Sequence, residues 1–197
     1  MGSEGPLWVF GYGSLLWNPG FAFEAREPGL LRGYRRAFCS WSVRYRGTPE
    51  APGLVLGLDP DPQGVCRGAA FRVAAEKAAE VRAYLVHREM GTSSYHEVEV
   101  PVELDGGEVV PALAYVMDVA HAQYVRLPLE DQAAVIARSR GPAGPNRDYL
   151  HATAERLREL GLPDHEMDWL DARVRALVGE VDAQAQQRAE APGEESR

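Results

Sequence analysis

Three features of the sequence predict a mixed α/β domain of the α+β kind. Apolar and β-branched runs cut by Gly, Pro and Asn turns fill residues 7–73, and a period-two stretch with a Gly-Gly turn follows at 97–118. Ala, Glu, Arg and Leu at helical spacing then close the chain. At 197 residues, with 45% hydrophobic and 25% charged residues, the composition is that of one water-soluble globular domain. The expected limits are a short extension at 1–6, a single domain at 7–178 and a tail at 179–197 without fixed structure.

Taken in order, residues 7–10 read as a buried strand that runs into the turn Gly11-Tyr12-Gly13-Ser14, and Asn18-Pro19-Gly20 breaks the chain again. Strand-like composition recurs at 30–43, 54–58 and 66–73, separated by turn-rich stretches at 47–53 and 59–64. Residues 74–88 hold neither Gly nor Pro, and Ala78, Val81 and Leu85 mark one helical face. Val98, Val100, Val102 and Leu104 alternate with Glu97, Glu99 and Glu103, the pattern of a half-buried strand. Asp105-Gly106-Gly107 supplies a hairpin turn, and 109–118 returns, with Pro111 favouring an edge or a bulge. Helices are predicted over 129–139, over 146–160 with Asn146 as N-cap and Gly161 past the end, and over 165–178. Beyond Gly179 large apolar residues are almost absent, which predicts disorder there.

The net charge of −8 argues against a nucleic-acid partner, which requires clustered Lys and Arg. Arg32, Arg35, Arg36, Arg44 and Arg46 do cluster locally, a pattern that fits either a small anionic ligand or a solvated strand face. No apolar run approaches the ~18 residues of a membrane span. Cys39 and Cys66 are the only cysteines and form no paired motif, so reduced thiols and a cytoplasmic location are expected. The five histidines are scattered without ligand spacing, and neither a metal nor another cofactor is expected.

Two segments suggest chemistry. The Gly11–Leu16 stretch lacks the Lys and third Gly of phosphate-binding loops. Two readings fit it: a turn whose amides and Ser14 hydroxyl hold a carboxylate or an oxyanion, or one whose glycines only supply positive φ. Glu89 lies four residues after Leu85, close to the apolar stripe of its helix and at the negative end of the helix dipole. Burial there raises a carboxyl pKa and makes a better base, whereas pairing with Arg88 or an early helix end leaves it ordinary.

These segments together resemble the ChaC family of γ-glutamylcyclotransferases over residues 7–178. Trp8-Val9-Phe10-Gly11-Tyr12-Gly13-Ser14-Leu15 looks like the family's N-terminal motif, and Arg46-Gly47-Thr48-Pro49-Glu50 is similar to its second signature. Tyr84-Leu85-Val86-His87-Arg88-Glu89 resembles the segment carrying the catalytic glutamate, and residues 141–150 resemble the late segment whose tyrosine is Tyr149. The chain departs from the family after Glu89, with Met90-Gly91-Thr92-Ser93-Ser94-Tyr95 where Gly-Gly-Tyr is common.

The resemblance implies a small curved or barrel-like mixed sheet with helices around it, and a cofactor-independent enzyme acting on a small molecule, with glutathione expected. It makes Glu89 the general base and assigns substrate contacts to Gly11, Tyr12, Gly13, Ser14, Leu15, Leu16, Arg46 and Tyr149. A cyclotransferase for other γ-glutamyl amino acids or amines, and a non-catalytic γ-glutamyl-binding protein, are the alternatives.

Overall fold

β-Branched and aromatic side chains fit a pleated surface with one buried face, and the first half of the chain uses them to build one sheet. The computed structural model describes residues 5–89 and 94–190. Its strands β1 (Leu7–Gly11), β2 (Ala25–Ser42), β3 (Gly53–Val73), β4 (Tyr95–Leu104) and β5 (Val109–Met117) join in the order β1-β3-β2-β4-β5. Parallel pairing of β5 with β1, with Trp8 opposite Ala112 and Val9 opposite Leu113, closes this order into a barrel. The barrel-like sheet implied by the resemblance is therefore present, with Phe10, Phe38, Phe71, Leu31 and Leu58 buried in its core.

β2 and β3 form one long hairpin, paired from Ala25 opposite Arg72 to Ser42 opposite Gly53. The turn expected at 59–64 does not separate two strands, because β3 runs through it. Its turn-forming residues make a bulge instead. The register passes from Arg32–Val65 to Tyr34–Pro60, and the intervening residues loop out opposite Gly33, whose φ is +83°. The Gln63 amide donates to Asp61 Oδ1 over 3.0 Å inside this loop. A bulge accepts extra residues while the ladder continues on both sides, so local turn chemistry does not end the strand. A second irregularity at Cys39 lies between the pairs Phe38–Leu56 and Ser40–Val55.

β4 and β5 form the expected hairpin, with Gly107 at φ +85°. β5 is not the edge strand that Pro111 suggested, since it also pairs with β1 and with Leu58 of β3. Pro111 fits because it faces Pro101 in a stretch of β5 beyond its pairing with β1, where its missing N–H costs no ladder bond there.

A short 3-10 turn (Ala75–Lys77) leads into α1 (Ala78–Glu89), which buries Val81 and Leu85 as its pattern predicts. α2 (Leu129–Arg138), α3 (Asn146–Glu159) and α4 (His165–Glu190) pack on one another. Between α2 and α3 a two-residue ribbon pairs β6 (Arg140–Gly141) with β7 (Gly144–Pro145). Asn146 is not the N-cap, because Pro145 holds that position and the Asn146 carboxamide is buried elsewhere. Its Oδ1 accepts from the Leu54 amide over 2.7 Å and its Nδ2 donates to the Leu54 carbonyl over 2.8 Å. A buried amide given both partners on one strand residue has none left for the helix end. Gly161 follows α3 at φ +65°.

α4 continues beyond the predicted end at residue 178 to Glu190, into the segment expected to be disordered. Scarce apolar residues limit burial, but Ala, Gln, Glu and Arg are strong helix formers and extend a helix already anchored on α2 and α3. Residues 191–197, the rest of that segment, lie outside the described residues, as does most of the 1–6 extension. No helix among the described residues is long and apolar enough to cross a membrane.

Candidate active site

β1 delivers the glycine turn. Gly11 pairs with Ala69 of β3 and packs so close to Phe71 that an added Cβ would stand 2.9 Å from the ring and 3.1 Å from Leu15 Cβ. Tyr12 then leaves the sheet, its hydroxyl donating to the Tyr115 carbonyl over 2.9 Å while its own carbonyl accepts from Arg36 Nε at 2.6 Å. Gly13 has φ −129°, so the positive-φ reading of this turn does not apply to it. A 3-10 turn (Ser14–Leu16) follows, with the Leu16 amide donating to the Gly13 carbonyl over 2.9 Å. The turn thus consumes the Leu16 amide itself.

Glu89 is the last residue of α1. Its side chain is 20% exposed, and Arg88 Nε lies 3.1 Å from its Oε1. Burial pushes the Glu89 carboxyl above the ordinary glutamate range, and the Arg88 cation only partly opposes this. The core-facing carboxylate and the Arg88 pair, read as alternatives in the sequence, therefore coexist. Burial prevails because a carboxylate losing most of its hydration gives up more than one partly exposed neighbour returns. Arg88 also clamps the turn, donating from Nη2 to Ser14 Oγ over 2.8 Å and from Nη1 to the Asn18 carbonyl over 2.6 Å.

Glu89, Ser14, Tyr95 and Tyr149 form a wall common to two spaces. An inner cavity of about 80 Å³ is bounded also by Tyr12, Gly13, Leu15 and Tyr115. An outer one of about 560 Å³ reaches Trp41, Arg44, Arg46 and Gln123. Of the residues implied by the resemblance, Tyr12, Gly13, Ser14, Leu15, Tyr149 and Glu89 meet at the inner cavity and Arg46 at the outer one, while Gly11 and Leu16 line neither. Met90 to Ser93, where the sequence departs from the family pattern, lie outside the described residues.

Arg46 ties two loops together. Its Nη1 donates to the Ala143 carbonyl over 2.7 Å and to the Pro145 carbonyl over 3.2 Å, and its guanidinium lies 5.5 Å from the Tyr149 ring centroid. The other clustered arginines separate. Arg32 pairs with Glu103 at the surface and Arg35 with buried Asp59, while Arg44 reaches the outer cavity. Arg36 is 3% exposed and sits beneath the turn, donating to the Tyr12 and Arg67 carbonyls and to Asp164. The sequence reading gave Arg36 no position of its own; it stands two residues before Phe38 on the same strand face, a parity that marks it as inward. Tyr95, which also lines both cavities, was named in the sequence reading only as the end of the stretch that departs from the family's Gly-Gly-Tyr. Among the described residues no group of three or more His, Cys, Asp or Glu could hold a metal ion.

The chain is thus a closed barrel with a glycine turn and a mostly buried glutamate, the last residue of a helix, on one cavity wall. Residues 7–178 match the family model described as ChaC-like protein, and the chain belongs to that family. It is 38% identical over 183 residues to gamma-glutamylcyclotransferase 2-3 of Arabidopsis thaliana, covering 88% of this chain and 91% of the relative. It is 36% identical over 178 residues to the glutathione-specific gamma-glutamylcyclotransferase of Escherichia coli, covering 90% of this chain and 76% of the relative. The crystal structure of the yeast gamma-glutamyl cyclotransferase specific to glutathione superposes with a TM-score of 0.79 at 27% identity, over 88% of this chain and 97% of the yeast chain.

Proposed function

We propose that this protein is a γ-glutamylcyclotransferase that cleaves glutathione to 5-oxoproline and cysteinylglycine, with Glu89 as general base. The observation that carries this reading is the mostly buried Glu89 carboxyl, held above its ordinary pKa, lining with Gly13 and Ser14 one cavity of about 80 Å³. The names of the Escherichia coli and yeast relatives, both specific to glutathione, support the substrate.

The reaction requires no enzyme nucleophile. The substrate's α-amine attacks its own γ-carbonyl and closes a five-membered ring, but an α-amino group with a pKa of about 7.7–8.0 is largely protonated at neutral pH. Glu89 acts on the fraction whose amine is neutral: it takes the N–H proton that the nitrogen sheds as it bonds to the γ-carbon and returns that proton to the departing cysteinylglycine nitrogen, so one carboxyl acts as base and then as acid. Its raised pKa suits both halves of that task. The cavity also folds the γ-glutamyl group into a reactive conformer, and such orientation is worth effective molarities on the order of 10⁵ M or more.

Purified protein incubated with glutathione should release 5-oxoproline and cysteinylglycine in equal amounts, detected by mass. No 5-oxoproline from folded protein, despite saturable glutathione binding, would instead indicate a binding protein. A second substrate reading has one observation behind it, since the name of the Arabidopsis relative specifies no substrate. Faster release of 5-oxoproline from γ-glutamyl-alanine than from glutathione would favour that reading.

A further inference from the structure

The inner cavity is bounded by the tyrosines at 12, 95, 115 and 149. Three of them direct their hydroxyl protons to protein acceptors. Tyr12 donates to the Tyr115 carbonyl over 2.9 Å, Tyr95 to the Leu56 carbonyl over 2.9 Å and Tyr115 to Glu97 Oε2 over 2.8 Å. Tyr149 differs: among the described residues no acceptor takes its proton. Yet its ring is fixed, edge-on to Trp17 at 5.8 Å and to Phe38 at 6.0 Å, with the Arg46 guanidinium 5.5 Å away. Its hydroxyl lies over the bare face of Gly13, 3.6 Å from where a Cβ would stand.

A rigid phenol whose proton has no acceptor among the described residues, on the wall that also carries Glu89, has the form of a preorganised donor. We propose that Tyr149 is a catalytic residue that donates a hydrogen bond to the γ-carbonyl oxygen as it becomes an oxyanion, an inference that rests on the cyclotransferase reading above. When the α-amine nitrogen bonds to the γ-carbon, the C=O π pair moves onto oxygen and Glu89 takes the amine proton. The negative charge then faces the Tyr149 O–H. Collapse restores the C=O bond, the C–N bond to cysteine breaks with its pair on nitrogen, and that nitrogen takes the proton from Glu89. Burial keeps the Tyr149 phenol neutral throughout, so the donor never loses its proton to solvent.

The hydroxyl of Tyr95 is not available for this role, because it already serves the Leu56 carbonyl. Nor is Ser14 Oγ as well placed, since it accepts from Arg88 Nη2 and its orientation is set by that clamp.

Tyr149→Phe tests the assignment, because it keeps the ring contacts and removes a hydroxyl whose proton has no acceptor among the described residues, although its oxygen takes a hydrogen bond from the Leu56 backbone. Cooperative thermal unfolding at the wild-type temperature is expected. With glutathione, kcat should fall by about 10²- to 10³-fold, the cost of losing one oxyanion donor, while KM changes less than ~3-fold. A kcat near wild type, or a loss confined to KM, overturns the proposal and leaves Tyr149 as a residue that binds the ground state. Wild-type protein that forms no 5-oxoproline removes the cyclotransferase reading and this inference together, whereas an active wild type with an equally active Tyr149→Phe removes this inference alone.

Discussion

Arg88 Nη2 donates to Ser14 Oγ over 2.8 Å while Nε of the same guanidinium lies 3.1 Å from Glu89 Oε1. One cation thus joins the glycine turn to the carboxylate, and the position of the turn and the ionisation of the base are linked through it. Arg88→Met removes a charge that holds the Glu89 pKa down, so the acid limb of kcat/KM is expected to move to higher pH. A pH–rate profile with its acid limb unmoved would show that the pair has no influence on the base.

Glu89→Gln keeps the shape of the side chain and removes its basicity. Turnover should fall by about 10²-fold or more, with substrate affinity largely retained. Steady-state kinetics and calorimetric titration on one preparation measure both, and turnover near wild type in a folded variant would take Glu89 out of the mechanism.

The same substitution bears on stability. The Glu89 carboxyl has a higher pKa in the folded protein than an ordinary glutamate, because burial penalises its charge. Folding therefore favours the protonated form, an advantage complete below the unfolded pKa and lost as pH rises through the folded one. Neutral Gln has no such loss. Glu89→Gln should unfold at a higher temperature than wild type at pH 7, and the difference should shrink as pH falls below the ordinary glutamate range. An equal or lower Tm at pH 7 would contradict this.

The two glycines of the turn should respond differently. A Cβ at Gly11 meets Phe71 at 2.9 Å, so Gly11→Ala overpacks the core and should destabilise by about 1–3 kcal/mol in denaturant titrations. At Gly13 the φ is negative and the nearest atoms to an added Cβ are Tyr149 Oη at 3.6 Å and Leu56 Cβ and Cδ1 at 3.8 Å. Gly13→Val should still unfold cooperatively but lose γ-glutamyl binding, because its methyls enter the cavity between Tyr149 and Ser14. Unimpaired binding by this variant would make the turn purely structural.

Arg36 is buried with the Tyr12 carbonyl, the Arg67 carbonyl and Asp164 around it. Truncation to Ala leaves all three without their donor, and removing one partner of a buried ion pair costs about 3–5 kcal/mol. Chemical denaturation of Arg36→Ala measures the loss, and a cost near zero would mean that water replaces the guanidinium.

The sequence was most readable where one local signal decided the outcome. Alternation at Val98–Leu104, the helical face of Val81 and Leu85, and Gly161 after α3 each reappear in the structure. Residues 59–64 misled because their turn chemistry is real but serves a bulge within β3, and Pro111 misled because its cost depends on which strand lies beside it. At the site, Glu89 was legible through its distance from Leu85. Arg36 and the partners of the Asn146 carboxamide were not, since both join residues far apart in the chain, and composition carries no information about such pairs.

Closure of the barrel has a consequence for synthesis. β1 leaves the ribosome first, yet two fixed points of its turn come much later, the Tyr115 carbonyl that receives the Tyr12 hydroxyl and the β5 residues that pair with Trp8 and Val9. A nascent chain that already contains Gly13, Ser14 and Glu89 therefore has every element of the turn and base but no assembled pocket. Pairings this distant in sequence are slow to form, so the pocket is completed only after β5 closes the barrel and α3 brings Tyr149 to its wall, and catalytic competence arrives as one of the last events of folding.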